Sequence, residues 1–248
     1  AYLRQPWRAG LSYSHTLVLN DAEDADDSQT HVIRPDLSLE TERWGAGVGY
    51  ALSRGEFGVS SSYWEHSGDA RFSRRLTPAL TGLVTGLFTT HQADEADEVD
   101  FIIGRTRLGV TWILNPESTL EAQAGVDFFD PDTDSLSVHP SGSVGYTQRF
   151  PWLALSLRYE EGIQERFQEV DNTGVARTRA ASILLSTVSF QRLTATAALR
   201  WAENRFELTT PVVVADTRDR TWDIELGARY QLLRPLSVSA GYVLTVRT

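Results

Sequence analysis

Charged side chains in this chain recur at alternate positions: Arg105 and Arg107, Arg177 and Arg179, Asp223 and Glu225 with Arg229 beyond them. Side chains two apart on a strand leave from one face, so such spacing lines a surface rather than building a compact catalytic centre. All 23 basic residues are arginine, set against 33 carboxylates. Arginine offers a rigid, planar donor fork suited to carboxylates and hydroxyls. The candidate lining set is Arg105, Arg107, Arg149, Arg158, Arg177, Arg179, Arg200, Arg229, Glu121, Asp127, Asp223 and Glu225. Two roles fit it: ion pairs that brace a wall, or a lining that hydrogen-bonds a polar or anionic polymer in transit.

Other chemistry is poorly supplied. His15, His31, His66, His91 and His139 lack metal-ligand spacing. The run "DPDTDS" at 130–135 alternates acids as a calcium loop does, but has no glycine at its sixth position and no glutamate at its twelfth. No G-x-S-x-G, P-loop or cysteine ladder is present. Ser12 and Ser14 do not share a face with His15, as a serine hydrolase at the rim would require. We therefore expect no enzyme activity, no metal and no cofactor. A net charge of −10 offers no basic face to neutralise phosphates, so nucleic acid is excluded as a partner.

The elements that must carry the charges are strands. In 222–232 the residues Trp222, Ile224, Leu226, Ala228, Tyr230 and Leu232 alternate with Asp223, Glu225, Gly227, Arg229 and Gln231, and the pattern resumes after Arg234-Pro235. Sustained period two specifies strand. Spans of 7–19, 30–42, 44–57, 67–77, 79–91, 100–114, 119–130, 136–150, 152–163, 174–190, 192–205, 217–232 and 235–247 follow, with 57–67 open between strand end and loop. No run approaches the about 18 apolar residues of a spanning helix.

Connections alternate in kind. Tight ones lie near Arg43, at Thr77-Pro78, 115–118, Phe150-Pro151, Gln191-Arg192 and Arg234-Pro235; long, mostly acidic ones include "NDAEDADDSQ", "HQADEADEVD" and "EEGIQERFQEVDNTG". Short turns at one end and long loops at the other are the layout of a transmembrane barrel. Trp7, Trp44, Trp112, Phe150, Trp152, Phe190 and Tyr230 fall beside the tight turns, and Phe128, Tyr159, Trp201 and Trp222 toward the long loops. Two such rows predict aromatic girdles at two membrane interfaces.

The fold class expected is all-β: an antiparallel up-and-down transmembrane β-barrel spanning 1–248, set in the lipid of the bacterial outer membrane. Trp222, Leu226, Tyr230, Val238 and Tyr242 should meet lipid, while Asp223, Glu225 and Arg229 face a wet lumen. Thirteen strands is odd, whereas bacterial single-chain barrels close with an even number. The expectation is a barrel of about 14 or more strands with at least one beyond Thr248. A chain without Met is read as a processed or trimmed segment.

From about residue 69 the sequence resembles the outer-membrane β-barrel porin 2 group, including the type associated with exopolysaccharide export. The residues carrying it are "RFSRRLTPALTGLVTGL", "LGVTWILNPESTLEAQAGVDF", "FPWLALSLRYEEGI", "DNTGVARTRAASILLS" and "RDRTWDIELGARYQLLRPLSVSAGYVLTVRT". The resemblance implies a water-filled conduit for polysaccharide in transit, working with a periplasmic polysaccharide-export lipoprotein. A contrasting expectation is a structural sheath around a partner protein such as a multihaem cytochrome.

Overall fold

A computed structural model of the chain describes residues 7–18, 28–57, 61–94, 100–132, 136–167, 173–187, 192–207, 218–233 and 236–248. These form one antiparallel sheet of thirteen strands, each paired with its neighbours in chain order. The strands are β1 (Trp7–Val18), β2 (Ser28–Glu40), β3 (Trp44–Phe57), β4 (Ser61–Arg75) and β5 (Leu80–Ala93). They continue with β6 (Phe101–Asn115), β7 (Ser118–Pro131), β8 (Ser137–Arg149) and β9 (Leu153–Phe167). The last four are β10 (Thr173–Thr187), β11 (Leu193–Glu207), β12 (Arg218–Leu233) and β13 (Leu236–Arg247). Strands of 12 to 16 residues exceed the about 9–11 residues that cross a bilayer at a tilt, so their ends project beyond it. Among the described residues no ladder joins β1 to β13.

Expected and observed strands match one for one, with two differences at the long-loop end. Strand β4 begins at Ser61, so most of the open 57–67 stretch is strand; 58–60 lie outside the described residues. The acidic run read as a loop from Glu160 is largely strand, since β9 continues to Phe167 and β10 starts at Thr173. Charge marks residues that stand in water; it does not prevent them from pairing.

The tight turns are held by short side chains. Thr41 Oγ1 donates to the Trp44 carbonyl at 2.8 Å and accepts the Trp44 N–H at 3.0 Å. Asn115 Oδ1 accepts the Glu117 N–H at 2.9 Å, closing an Asx turn before β7.

Register assigns each face. On β11 to β13, Trp201, Trp222 and Val246 lie in one row, and Leu226 pairs with Tyr242 on the same side. Asp223, Glu225 and Arg229 stand on the opposite side, as expected. The apolar face runs across the whole sheet through Leu11, Leu37, Val48, Phe72, Leu108, Val126, Leu157, Ile183 and Leu226, all exposed. Ile113, Leu184 and Val243 are large apolar residues that break the pattern, exposed on the polar face. A sheet with so much exposed hydrocarbon on one side has lipid, not water, as its solvent there.

The sheet has one irregular seam. The β8–β9 ladder stops at Gly142–Glu161. Above it, β8 stays with β7 as far as Ser137–Phe129, while β9 stays with β10 as far as Phe167–Thr173. Beyond Glu161, β9 passes behind β8 and crosses the polar face of β6 and β7. Its Ile163, with Val175 of β10, packs on Phe101, Ile103 and Phe129 to make the buried apolar cluster of the sheet.

Candidate functional site

The crossing is fastened by charged side chains. Asp127 on β7 is fully buried and accepts the Ile163 N–H at 2.8 Å through Oδ2. Its Oδ1 accepts Arg105 Nε at 3.1 Å, and Arg107 Nη2 lies 3.8 Å from Oδ2. Arg105 also donates to the Ile163 carbonyl, Arg107 Nη2 to the Glu161 carbonyl at 3.4 Å, and Arg107 Nε to Ser141 Oγ at 3.2 Å. These bonds replace the partner strand that β9 leaves behind, as a backbone group away from water requires. Gly162 fits because a Cβ there would sit 2.6 Å from Arg107 Nη2 and 2.7 Å from Asp127 Oδ2. Arg105, Arg107 and Asp127 therefore brace the wall, the first of the two roles open to them.

Lower on the polar face, Arg158 of β9 and Arg200 of β11 flank Ser182 of β10 in one row that continues to Asp223. The small serine between them leaves a recess of about 380 Å³, bounded by Arg158, Glu160, Ala180, Ser182 and Arg200. Arg158 Nε donates to Glu160 Oε2 at 3.2 Å, and Thr245 Oγ1 to Asp223 Oδ1 at 2.8 Å. Glu121, Arg149, Glu225 and Arg229 share this face, and Arg229 Nε donates to Ser237 Oγ at 3.2 Å.

Arg177 and Arg179 depart from the expectation. They occupy the parity of Ala181 and Ile183, on the face of Tyr159 and Trp201, opposite to Arg158 and Arg200. Both donate to Glu161 Oε1, at 2.5 and 3.1 Å. The physical reason is the strict period of two: charged or not, they share a side with Ile183 and Leu185. They tolerate the apolar face because they sit past the Tyr159–Trp201–Trp222 row, toward the long loops. The alternation Ala176, Thr178, Ala180, Ser182 already marked the polar side as the one with small residues.

The aromatic rows stand at the ends of the apolar face as expected; Phe190 lies outside the described residues. Histidines join the loop-side row. Tyr13 Oη lies 2.9 Å from His31 Nδ1, Tyr50 Oη lies 2.6 Å from His66 Nδ1, and His15 stacks on His31 at 4.4 Å. The alternation of Tyr13 with His15 and the facing pair at 31 held that signal. Among the described residues no cluster of three potential metal ligands occurs; Asp134 of "DPDTDS" lies outside them.

The thirteen-stranded wall superposes on known structures. The FrpB iron transporter from Neisseria meningitidis (F3-3 variant) superposes with a TM-score of 0.69 over 90% of this chain and 44% of its own, at 10% identity. The ferric yersiniabactin uptake receptor FyuA from Yersinia pestis gives 0.58 over 98% and 49%, at 11% identity. The alcaligin outer-membrane receptor FauA from Bordetella pertussis gives 0.55 over 98% and 50%, at 14% identity. The fold is that of bacterial outer-membrane β-barrels, which agrees with the localisation read from the sequence. The chain spans about half the length of these structures. No protein-family model matches it, nor does the sequence of any curated protein. In a barrel of this kind the apolar face meets lipid and the polar face is the inner one.

Proposed function

We propose that the chain forms the wall of a water-filled passage across the bacterial outer membrane, and that its cargo is a secreted polysaccharide. The observation that carries the reading is the inner-face recess in which Arg158 and Arg200 stand either side of Ser182. Planar guanidinium forks contact sugar hydroxyls or uronate carboxylates without complete dehydration, and a row of them offers a chain of weak, replaceable contacts, which transit requires. Polysaccharide as the cargo, with a periplasmic export lipoprotein as partner, follows from the resemblance in sequence.

The test is a barrel carrying Arg158→Gln and Arg200→Gln, folded and present at normal abundance. Surface polysaccharide should fall several-fold. Unchanged export at equal barrel abundance would count against the conduit for polymer.

Uptake of a metal complex is the second reading, favoured by the fold shared with transporters and receptors described for iron, ferric yersiniabactin and, in another similar structure, copper. The same double variant separates the two. Under this reading polymer export stays normal and growth on a chelated metal slows.

A further inference from the structure

On the apolar face, immediately beyond the loop-side aromatic row, the chemistry changes abruptly. Tyr159, Ala181, Trp201 and Trp222 form one cross-strand row on β9 to β12. The next row is Glu161, Arg179, Glu203 and Arg220, and the one above it places Arg177, Arg205 and Arg218 side by side. Five arginines thus stand with two glutamates above the aromatic row; at the β9 end Ile163, in the row of Arg177, is covered by β6 and β7, whereas Arg179, Arg205, Arg218 and Arg220 stay open. Glu203 takes Arg220 at 2.8 Å and Arg218 at 3.8 Å, and Glu161 takes Arg177 and Arg179. The pairs orient the guanidinium groups. Arg218 and Arg220 keep about half their side-chain surface exposed.

Below the arginines lies an apolar groove of about 620 Å³. It opens where Ala181, a single methyl, stands between Tyr159 and Trp201, and its walls include Leu157, Ile183 and Trp222. An apolar groove capped by a cationic cluster has the polarity of one amphiphile: acyl chain below, anion above.

We propose that this surface binds a phosphate-bearing lipid of the outer leaflet, its headgroup held by Arg179, Arg205, Arg218 and Arg220 and one acyl chain in the groove over Ala181. The side is set by the long-loop end, which in such barrels is extracellular. Phosphate is the anion favoured by adjacent planar forks, because each offers paired N–H donors to two of its oxygens. The inference rests on the outer-membrane reading but not on any cargo, since the inner face takes no part.

The experiment uses the whole chain, reconstituted in phosphatidylcholine vesicles, with bis-phosphorylated lipid A titrated in and binding followed by native mass spectrometry. The same lipid without its phosphates, and inorganic phosphate alone, are the comparison probes. Wild type should bind the phosphorylated lipid at least tenfold more tightly than the dephosphorylated one, with millimolar phosphate displacing little of it. Arg205→Gln with Arg218→Gln should lose most of that preference, while Arg8→Gln with Arg34→Gln, on the inner face, should keep it. Ala181→Phe fills the groove without touching a charge and should weaken both lipids alike, so it decides the matter if the arginine variant does not fold. Equal binding of the two lipids, an unaffected arginine variant, or full displacement by free phosphate would each overturn the proposal. Failure of the chain to enter vesicles at all would overturn the membrane reading instead.

Discussion

The backbone N–H of Ile163 donates to the Asp127 carboxylate at 2.8 Å, although the two belong to strands two apart in the sheet. A side chain on β7 here does the work of a neighbouring strand. It is possible only because Arg105 and Arg107 compensate the charge of Asp127, which has no water contact of its own.

Removing that carboxylate should therefore be expensive. Asp127→Ala leaves two arginines facing each other and an amide without an acceptor, and breaking a buried pair in this way costs about 3–5 kcal/mol. The 160–176 region should become protease-sensitive while the rest of the sheet resists. Limited proteolysis with mass mapping would show it; cleavage unchanged from wild type contradicts the fastening role.

Gly162→Ala probes the same crossing by volume alone. The added methyl meets Arg107 Nη2 and Asp127 Oδ2, and overpacking of this kind costs about 1–3 kcal/mol. The midpoint of heat-modifiability on a gel should drop, and a midpoint at or above wild type would mean that β9 lies further from β7 than described.

Leu226→Arg and Arg229→Gln exchange the demands of the two faces. The first puts charge on the lipid side, at about 2–4 kcal/mol near mid-depth. The second removes one exposed inner charge and its bond to Ser237, so its effect should stay near 1 kcal/mol or less. Fractions of folded barrel after insertion into lipid measure both, and a reversed order would invert the face assignment.

A substitution at Gly104 tests how the apolar wall is filled. The Phe128 ring lies over this glycine from the facing strand, in the space a Cβ would take. Gly104→Val should impair assembly and Phe128→Ala should do so less, because the second leaves a gap where the first forces a strand apart. Assembly yields compared side by side give the answer.

The strands and their faces were legible because period two is a local property, written in each segment without reference to any other. Trp222 against Asp223 declares its sides within a dipeptide. The same rule, followed through 176–185, sends Arg177 and Arg179 outward; weighting their charge above their parity sends them in. What no local rule contains is the departure of β9 from β8. Glu161 and Ile163 alternate as ordinary strand residues, and only the position of Asp127, over thirty residues earlier, reveals what the Ile163 amide pairs with. The recess at Ser182 is a similar case, since Arg158 and Arg200 become neighbours only once both ladders of β10 are in register.

The seam between β8 and β9 has a mechanical meaning. Gly142 to Arg149 is all that β8 gives to β9, a shorter join than any other pair of described strands makes. Two panels, one of eight strands and one of five, meet along that join, and the Arg105–Asp127–Arg107 cluster is the rivet across its upper end. Load on the wall concentrates where joints are shortest, so under a pulling force the sheet should part there first, with the rivet setting the force required.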